Sequence, residues 1–481
     1  MSGPAALAEE RLGRQPAVLA AREGLATHPG VWVVGGAVRD ALLDRGLLED
    51  LDLAVAGDAA DAARAVAKAA GHPAFPLSED FGAWRVVGDG WLVDVTPLQG
   101  DRIEDDLALR DFTVNAMGLP LFGGALVDPF NGLADLEARI LRMVAPDAYD
   151  RDRLRPLRLV RFATELGFGV EDDTAVATRE WAPRVIEAAG ERVFAELRRI
   201  VVAPRAPEGL DLASELGVLA AVLPELESLR GLEQSHFHHL DVYDHTMEVL
   251  RSLNRIDDQL AGYFPADTPA LRSVLDEPLG DDMTRAEALR FAALLHDIGK
   301  APTRRLTDNG RVTFIGHDAV GAEMVRDICR RLRTSERLRE FLAHITRRHL
   351  VLGFLVHERP LSKRTVYRYL KTCSPVEVEV TLLTVADRIA TRGKNAEAAI
   401  AAHLELAREL MRAALEWRAA GGPPRPPLRG DELAHELGID PGPDLGRLLG
   451  ELEEASYAGE VKNADQAVEY ARRLRENQPQ P

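Results

Sequence analysis

Residues 31–55 read VWVVGGAVRDALLDRGLLEDLDLAV, an apolar run into a glycine pair, followed by Asp50 and Asp52 two residues apart in a β-strand pattern. Side chains on a strand alternate faces, so both carboxylates project from one face while Leu51 and Leu53 project from the other. Like charges held together are costly unless a cation joins them, and hard cations such as Mg²⁺ prefer oxygen ligands. With Gly35, Gly36 and Arg39 just upstream, this pattern points to phosphoryl or nucleotidyl transfer. A third carboxylate, Asp94, stands in the apolar stretch WLVDVTP. A lone aspartate is disfavoured in a strand because its charge must be solvated or paired. Beside Asp50 and Asp52 it completes a two-metal site, one ion activating the attacking hydroxyl and the other neutralising the leaving pyrophosphate.

At 481 residues the chain exceeds one compact core and should divide into several domains. The expected fold class is α+β. Its first part mixes strands (VWVVGG, LDLAVAG), helices (VRDALLDRG, DAADAARAVAKAAG) and a hairpin around Gly88–Asp89–Gly90. From about residue 140 strand patterns nearly vanish, and segments such as RLRPLRLVRFATELGF and ERVFAELRRIVVAP are amphipathic helices. Gly262 to Asp282 reads as an excursion inside a helical domain, and GGPPRPPLRG (Gly421 to Gly430) as a linker, because clustered prolines cannot continue a helix. The net charge of −18 excludes a uniformly basic coat for nucleic acid but not a local basic groove. Cys329 and Cys373 support neither a disulfide framework nor a cysteine-ligated zinc, and there is no transmembrane or signal-peptide stretch. A cytoplasmic protein is expected, with no membrane partner and no protein partner inferable.

Five ordered stretches carry a family resemblance. GGAVRDALLDRGLLEDLDLAV, RDFTVNAM, DPFNGLADLEARILR, DRLRPLRLVRFATELGF and ERVFAELRRI resemble the motifs of the class II tRNA nucleotidyltransferase and bacterial poly(A) polymerase superfamily. The resemblance implies a nucleotidyltransferase head (15–138), a helical neck binding the nucleotide base and RNA (139–230), and tRNA, CTP and ATP as partners. Gly35, Gly36 and Arg39 would hold the triphosphate; Asp50, Asp52 and Asp94 would be the catalytic, Mg²⁺-binding carboxylates. Arg110 and Asp111 would lie by ribose and phosphates, supported by Asn115. Asp152 and Arg155 share one helix face at i and i+3 and would present a donor–acceptor pattern to a base edge. Arg158 and Arg161 extend that face, either for phosphate contact or as solvated charge. Arg110, Asp111 and Asn115 are alternatively a helix-start capping cluster, and Glu191, Arg192 and Glu196 an intrahelical ion-pair ladder.

HHLDVYDHTMEVL, AALLHDIGKAP and TVADRIATRGK form a second signal. His245, the His296–Asp297 dipeptide and Asp387 are similar to the HD superfamily pattern, with His317 and His349 as extra ligands for a second metal or a phosphate. Imidazole and carboxylate ligands on successive helices suit a divalent transition metal, its identity open. This implies an all-α HD domain of phosphohydrolase type over 231–420, with Lys300 holding a phosphate or simply solvated. His239 either contacts substrate or has no role, and His344 and His403 lack ligand duty. The segment 428–476 resembles the family's helical tail, binding RNA or forming a plain helical hairpin.

The chain departs from the family at two points. Arg151 replaces the glutamate that usually precedes Asp152, and only 15 residues separate Asp94 from Arg110. Complete CCA-adding members carry a longer flexible segment there, and members lacking it tend to stop after two cytidines. The expected function is template-independent addition of CCA, or part of it, to tRNA 3′ ends. Alternatives are a CC-adding enzyme, a poly(A) polymerase or, in a different class, an HD phosphohydrolase whose head merely binds nucleotide.

Overall fold

A computed structural model describes residues 3–46, 50–78, 82–234, 240–391 and 396–476, and the chain divides into two compact units, 1–222 and 223–481. The first unit is built on a six-stranded mixed sheet of β1 (Val31–Val34), β2 (Asp50–Val55), β3 (Ala74–Ser78), β4 (Ala83–Gly88), β5 (Trp91–Pro97) and β6 (Gly118–Pro120). Their spatial order is β3-β4-β5-β2-β1-β6, with β2 and β5 parallel and the other pairs antiparallel. The apolar positions Leu51, Leu53, Val93 and Val95 are fully buried, which fixes the register and sends the intervening aspartates to the opposite face. Strand β3 has no counterpart in the sequence reading. It is an edge strand containing Pro76, and proline masks a strand pattern while being tolerated at an edge.

The helix Ala59–Ala70 packs on β4 and β5 through an alanine stripe that permits close approach. Asp58 caps it by accepting from the N–H groups of Ala60 and Asp61, and Gly71 ends it at φ +71°. Beyond the sheet the helix Arg155–Leu166, closed by Gly167 at φ +68°, packs against Gly190–Val202 and Ala206–Glu215.

The second unit is helical. Val242–Asp258, Arg285–Leu295, His317–Arg331, Glu336–Arg348 and Glu377–Ala390 pack around a core that includes Leu250, Ala292, Val325, Ile345 and Leu383. The Gly262–Asp282 excursion forms a helix (Thr268–Leu275) and a short strand (Pro278–Gly280). Residues 420–429 carry neither helix nor strand. The tail then forms three helices, Gly430–Leu437, Pro443–Ala458 and Ala464–Glu476, rather than a hairpin, with a core of Leu433, Leu448, Leu452 and Ala467. Arg364 on Lys363–Cys373 forks Glu460 at 2.9 and 2.7 Å, and Lys371 meets Glu453 at 2.6 Å, tying the tail to that helix. Among the described residues no helix is long and apolar enough to cross a membrane.

Candidate active site and metal centre

Asp50 and Asp52 leave β2 on one face and open into a cavity of about 890 Å³ in the first unit. Of the thirteen residues that the sequence assigned to catalysis or nucleotide binding in the head and neck, twelve line it; Asp94 does not. Burial, then the neighbouring Asp94 and Asp50 charges, push the Asp52 carboxyl above its ordinary range, against the pull of Arg110. A crowded carboxylate pair at a polar cavity is the donor set a hard divalent ion requires.

Gly35 stands between β1 and the helix Gly36–Leu42 at φ +72°, where a side chain would be strained. A Cβ there would also lie 2.6 Å from Arg110 Nη1 and 3.3 Å from Asp52 Oδ2. The glycine therefore lets Arg110 lie over the turn beside Asp52. Arg110 is anchored by Asp106 at 3.3 Å, while its buried Nε has no hydrogen-bond partner. Asp106 was not singled out from sequence, although its i,i+4 spacing to Arg110 was a readable signal.

Arg39, Arg158, Arg161 and Arg199 are joined through shared polar partners. Arg39 forks Asp40 with two 2.9 Å bonds and donates to Asn115 Oδ1 at 2.6 Å; Asn115 donates to Asp111 at 3.0 Å. Arg158 meets Asp111 through Nε at 2.9 Å and Nη2 at 2.7 Å. Burial alone would raise the Asp111 carboxyl, but Arg158 and Asn115 hold it far below the usual carboxylate range. Arg161 is buried between Glu196 and Glu165, and Arg199 forks Glu165 at 2.6 and 3.1 Å. Glu196 thus joins two helices. Arg155 donates to three main-chain carbonyls, Leu109 at 2.6 Å and Arg110 and Ala148 at 3.0 Å, which braces the Arg110 segment against the neck. Asp152 accepts from Leu154 N at 3.1 Å and from Arg192 at 2.8 Å. Arg192 therefore reaches across to Asp152.

Asp94 sits beside Asp52 in the parallel β2–β5 register and opposite Arg85 in the antiparallel β4–β5 register. Arg85 takes both its oxygens, Nε to Oδ1 and Nη2 to Oδ2, each at 2.7 Å. Sequence reasoning missed this partner, yet counting outward from the Asp89–Gly90 turn sets Arg85 opposite Asp94.

The second unit holds a separate cluster. His245 leaves Val242–Asp258, His296 and Asp297 follow Arg285–Leu295, His317 opens its helix, His349 follows Glu336–Arg348, and Asp387 lies on Glu377–Ala390. Asp387 Oδ1 is 2.9 Å from His245 Nε2. Asp297 is central: Oδ2 lies 3.1 Å from His296 Nε2, and Oδ1 lies 3.3 Å from His317 Nε2 and 3.8 Å from His349 Nε2. Burial would raise the Asp297 carboxyl, but His296 and Lys300 hold it well below the ordinary range. Lys300 joins Asp297 at 2.7 Å and Gln234 at 2.8 Å.

The tautomers follow from what each ring's Nδ1 meets. His296, His317 and His349 each place Nδ1 2.7–2.8 Å from a main-chain carbonyl (Ala293, Phe314 and Thr346), which can only accept. Nδ1 therefore carries a proton in each ring, which leaves Nε2 as the nitrogen that can ligate a metal. His245, His296 and Asp297 form one metal-sized group and Asp297, His317 and His349 another. His344 is half-buried and His403 buried, outside both groups. His239 lies outside the described residues.

Three family descriptions match the chain: poly A polymerase head domain over 93–142, probable RNA and SrmB-binding site of polymerase A over 167–229, and HD domain over 242–392. The A-adding tRNA nucleotidyltransferase of Deinococcus radiodurans is 38% identical over 458 residues, 94% of this chain and 97% of the relative. The CC-adding tRNA nucleotidyltransferase of Thermus thermophilus is 36% identical over 92% of this chain and 93% of the relative. Among solved structures, the Bacillus stearothermophilus CCA-adding enzyme in complex with CTP covers 99% of this chain and all of its own at TM-score 0.64 and 22% identity. The Thermotoga maritima CCA-adding enzyme complexed with tRNA covers 97% of this chain and 98% of its own at TM-score 0.59 and 19% identity. These two likenesses concern the fold.

Proposed function

The chain belongs to the family of tRNA nucleotidyltransferases, and from that membership we propose that it extends tRNA 3′ ends from CTP without a template, stopping after the cytidines. The observation that carries nucleotidyl transfer is the placing of Asp50 and Asp52 on one wall of the cavity whose other walls present Arg39, Arg110 and Arg158. When bound at the paired carboxylates, Mg²⁺ supplies charge neutralisation at the triphosphate and acidity for the attacking 3′-hydroxyl. The protein's own share is positioning. Gly35 keeps the turn open, Arg110 lies over that turn beside Asp52, and the Arg39–Asn115–Asp111–Arg158 chain holds the guanidinium groups at fixed spacing. That Asp152 and Arg155 line the same cavity supports the base-selecting role the resemblance implies, with Arg192 holding Asp152.

The stop after cytidine is supported by the short interval between Asp94 and Arg110. It is filled by the end of β5, a turn and the helix Ile103–Leu107, leaving no long segment to reshape the pocket between additions. The two relatives, one A-adding and one CC-adding, are too evenly matched to decide this. Gel-resolved products from tRNA lacking its 3′ end decide it: CTP alone should give two additions, and ATP should add nothing further. Terminal adenosine on the product overturns the cytidine stop, and long A tails indicate a poly(A) polymerase.

A second activity is favoured by the histidine cluster, in which the Nε2 atoms of His296, His317 and His349 converge on Asp297. It is a divalent transition-metal phosphohydrolase site, suited to cyclic or terminal phosphates on damaged 3′ ends. His296→Ala should abolish phosphodiesterase activity and spare nucleotide incorporation; loss of both activities rules out separate sites.

A further inference from the structure

The third carboxylate is not placed like the other two. Asp50 and Asp52 line the cavity; Asp94 does not. Both Asp94 oxygens are held by Arg85 in a two-bond fork at 2.7 Å, the geometry in which guanidinium binds carboxylate most firmly. The fork is set by strand register, because Arg85 and Asp94 are directly opposed on β4 and β5, and side chains of opposed residues share a face. Asp52 is next in the same row, opposed to Asp94 across the β2–β5 pair. The sheet thus presents Arg85, Asp94 and Asp52 in line, with only the last at the cavity.

We propose that Arg85 is a positioning residue that keeps Asp94 out of the metal's ligand set, so that the divalent ion is held by Asp50 and Asp52 while the Arg85–Asp94 pair fixes the Asp52 carboxylate beside it. This rests on the reading of the Asp50/Asp52 cavity as the nucleotidyl-transfer site. The arrangement has a charge logic. Pairing one of the three carboxylates with a guanidinium leaves two negative charges, those of Asp50 and Asp52, at the cavity. Arg85 is only partly exposed, so solvent screens the fork less than an open surface pair.

The test is Mn²⁺ binding to the full chain, read by electron paramagnetic resonance, beside CTP incorporation. The ion of interest is defined as the Mn²⁺ that Asp52→Asn removes, so ions at the histidine cluster cancel. Asp94→Asn should keep that ion within about threefold of the native affinity. Arg85→Met should release Asp94 into the ligand set, binding the ion about tenfold tighter and lowering kcat about tenfold or more with little change in KM for CTP. Arg85→Lys should restore part of kcat, and circular dichroism should show all variants folded. If Asp94→Asn loses the ion as Asp52→Asn does, Asp94 is a ligand and the proposal falls; it falls equally if Arg85→Met leaves Mn²⁺ affinity and kcat unchanged. An Asp52→Asn variant that loses no Mn²⁺ at all overturns the reading of the cavity itself, a result distinct from either.

Discussion

His317 and His349 face each other through their Nε2 atoms at 3.2 Å, while each donates its Nδ1–H to a main-chain carbonyl. Two opposed lone pairs at that distance need a proton or a cation between them. Together with Asp297 the two histidines form a metal-sized group of ligand atoms. The pair is therefore expected to hold a transition metal. His349→Ala should lower the metal content measured by inductively coupled plasma mass spectrometry and cut phosphodiesterase turnover at least a hundredfold, with CTP incorporation retained. Unchanged metal content in the variant would show that the pair holds no ion.

Asp52 is the less exposed member of the carboxylate pair and lies beside Arg110. Asp52→Asn keeps the shape and removes the charge. CTP incorporation into tRNA should fall at least about a thousandfold, equivalent to about 4 kcal/mol in the barrier. Rates within tenfold of the native enzyme would be incompatible with Asp52 as a metal ligand.

Gly35→Ala places a methyl group 2.6 Å from Arg110 Nη1 at a backbone angle that disfavours it. The expected cost is about 1–2 kcal/mol of stability. Because Arg110 must shift, KM for CTP should rise more than kcat falls. Steady-state kinetics with melting curves check this, and an unchanged KM would mean that Arg110 does not contact the nucleotide.

Glu377 is buried, and its pKa is pushed up to about 7 by that burial and by Glu379, against Arg418 and Arg285. The folded state thus holds its proton more tightly than the unfolded chain, whose ordinary value is 4.5. Its contribution to stability is complete below about pH 4.5 and is lost as pH rises through about 7. Glu377→Gln removes this dependence. Relative to native protein, the variant should gain up to about 3 kcal/mol between pH 5 and pH 8 in denaturant titrations. A difference independent of pH would contradict a protonated Glu377.

Much of this was legible before the fold. Alternation put Asp50 and Asp52 on one face, and the run of motifs gave the order of head, neck and histidine cluster. What eluded the sequence was what the side chains pair with. Nothing local says that Arg155, besides lining the cavity, donates to the main-chain carbonyls of Leu109, Arg110 and Ala148. Arg192 and Glu196 looked like an intrahelical ladder and instead reach Asp152 and Arg161, because the helices Arg155–Leu166 and Gly190–Val202 pack together. Arg85 was overlooked although its hairpin position was countable.

The sequence by itself settled which chemistry was on offer: acidic pairs at strand spacing, glycines at the turn, imidazoles at helix ends. Those features depend on backbone periods of two and 3.6 residues, which are local and therefore readable. Tertiary structure alone decided who meets whom. His245 finds Asp387 across 142 residues, and Arg161 finds Glu196 on a neighbouring helix. Such partnerships follow from sheet register and helix packing, which depend on burial summed over whole domains and leave no mark at any single position.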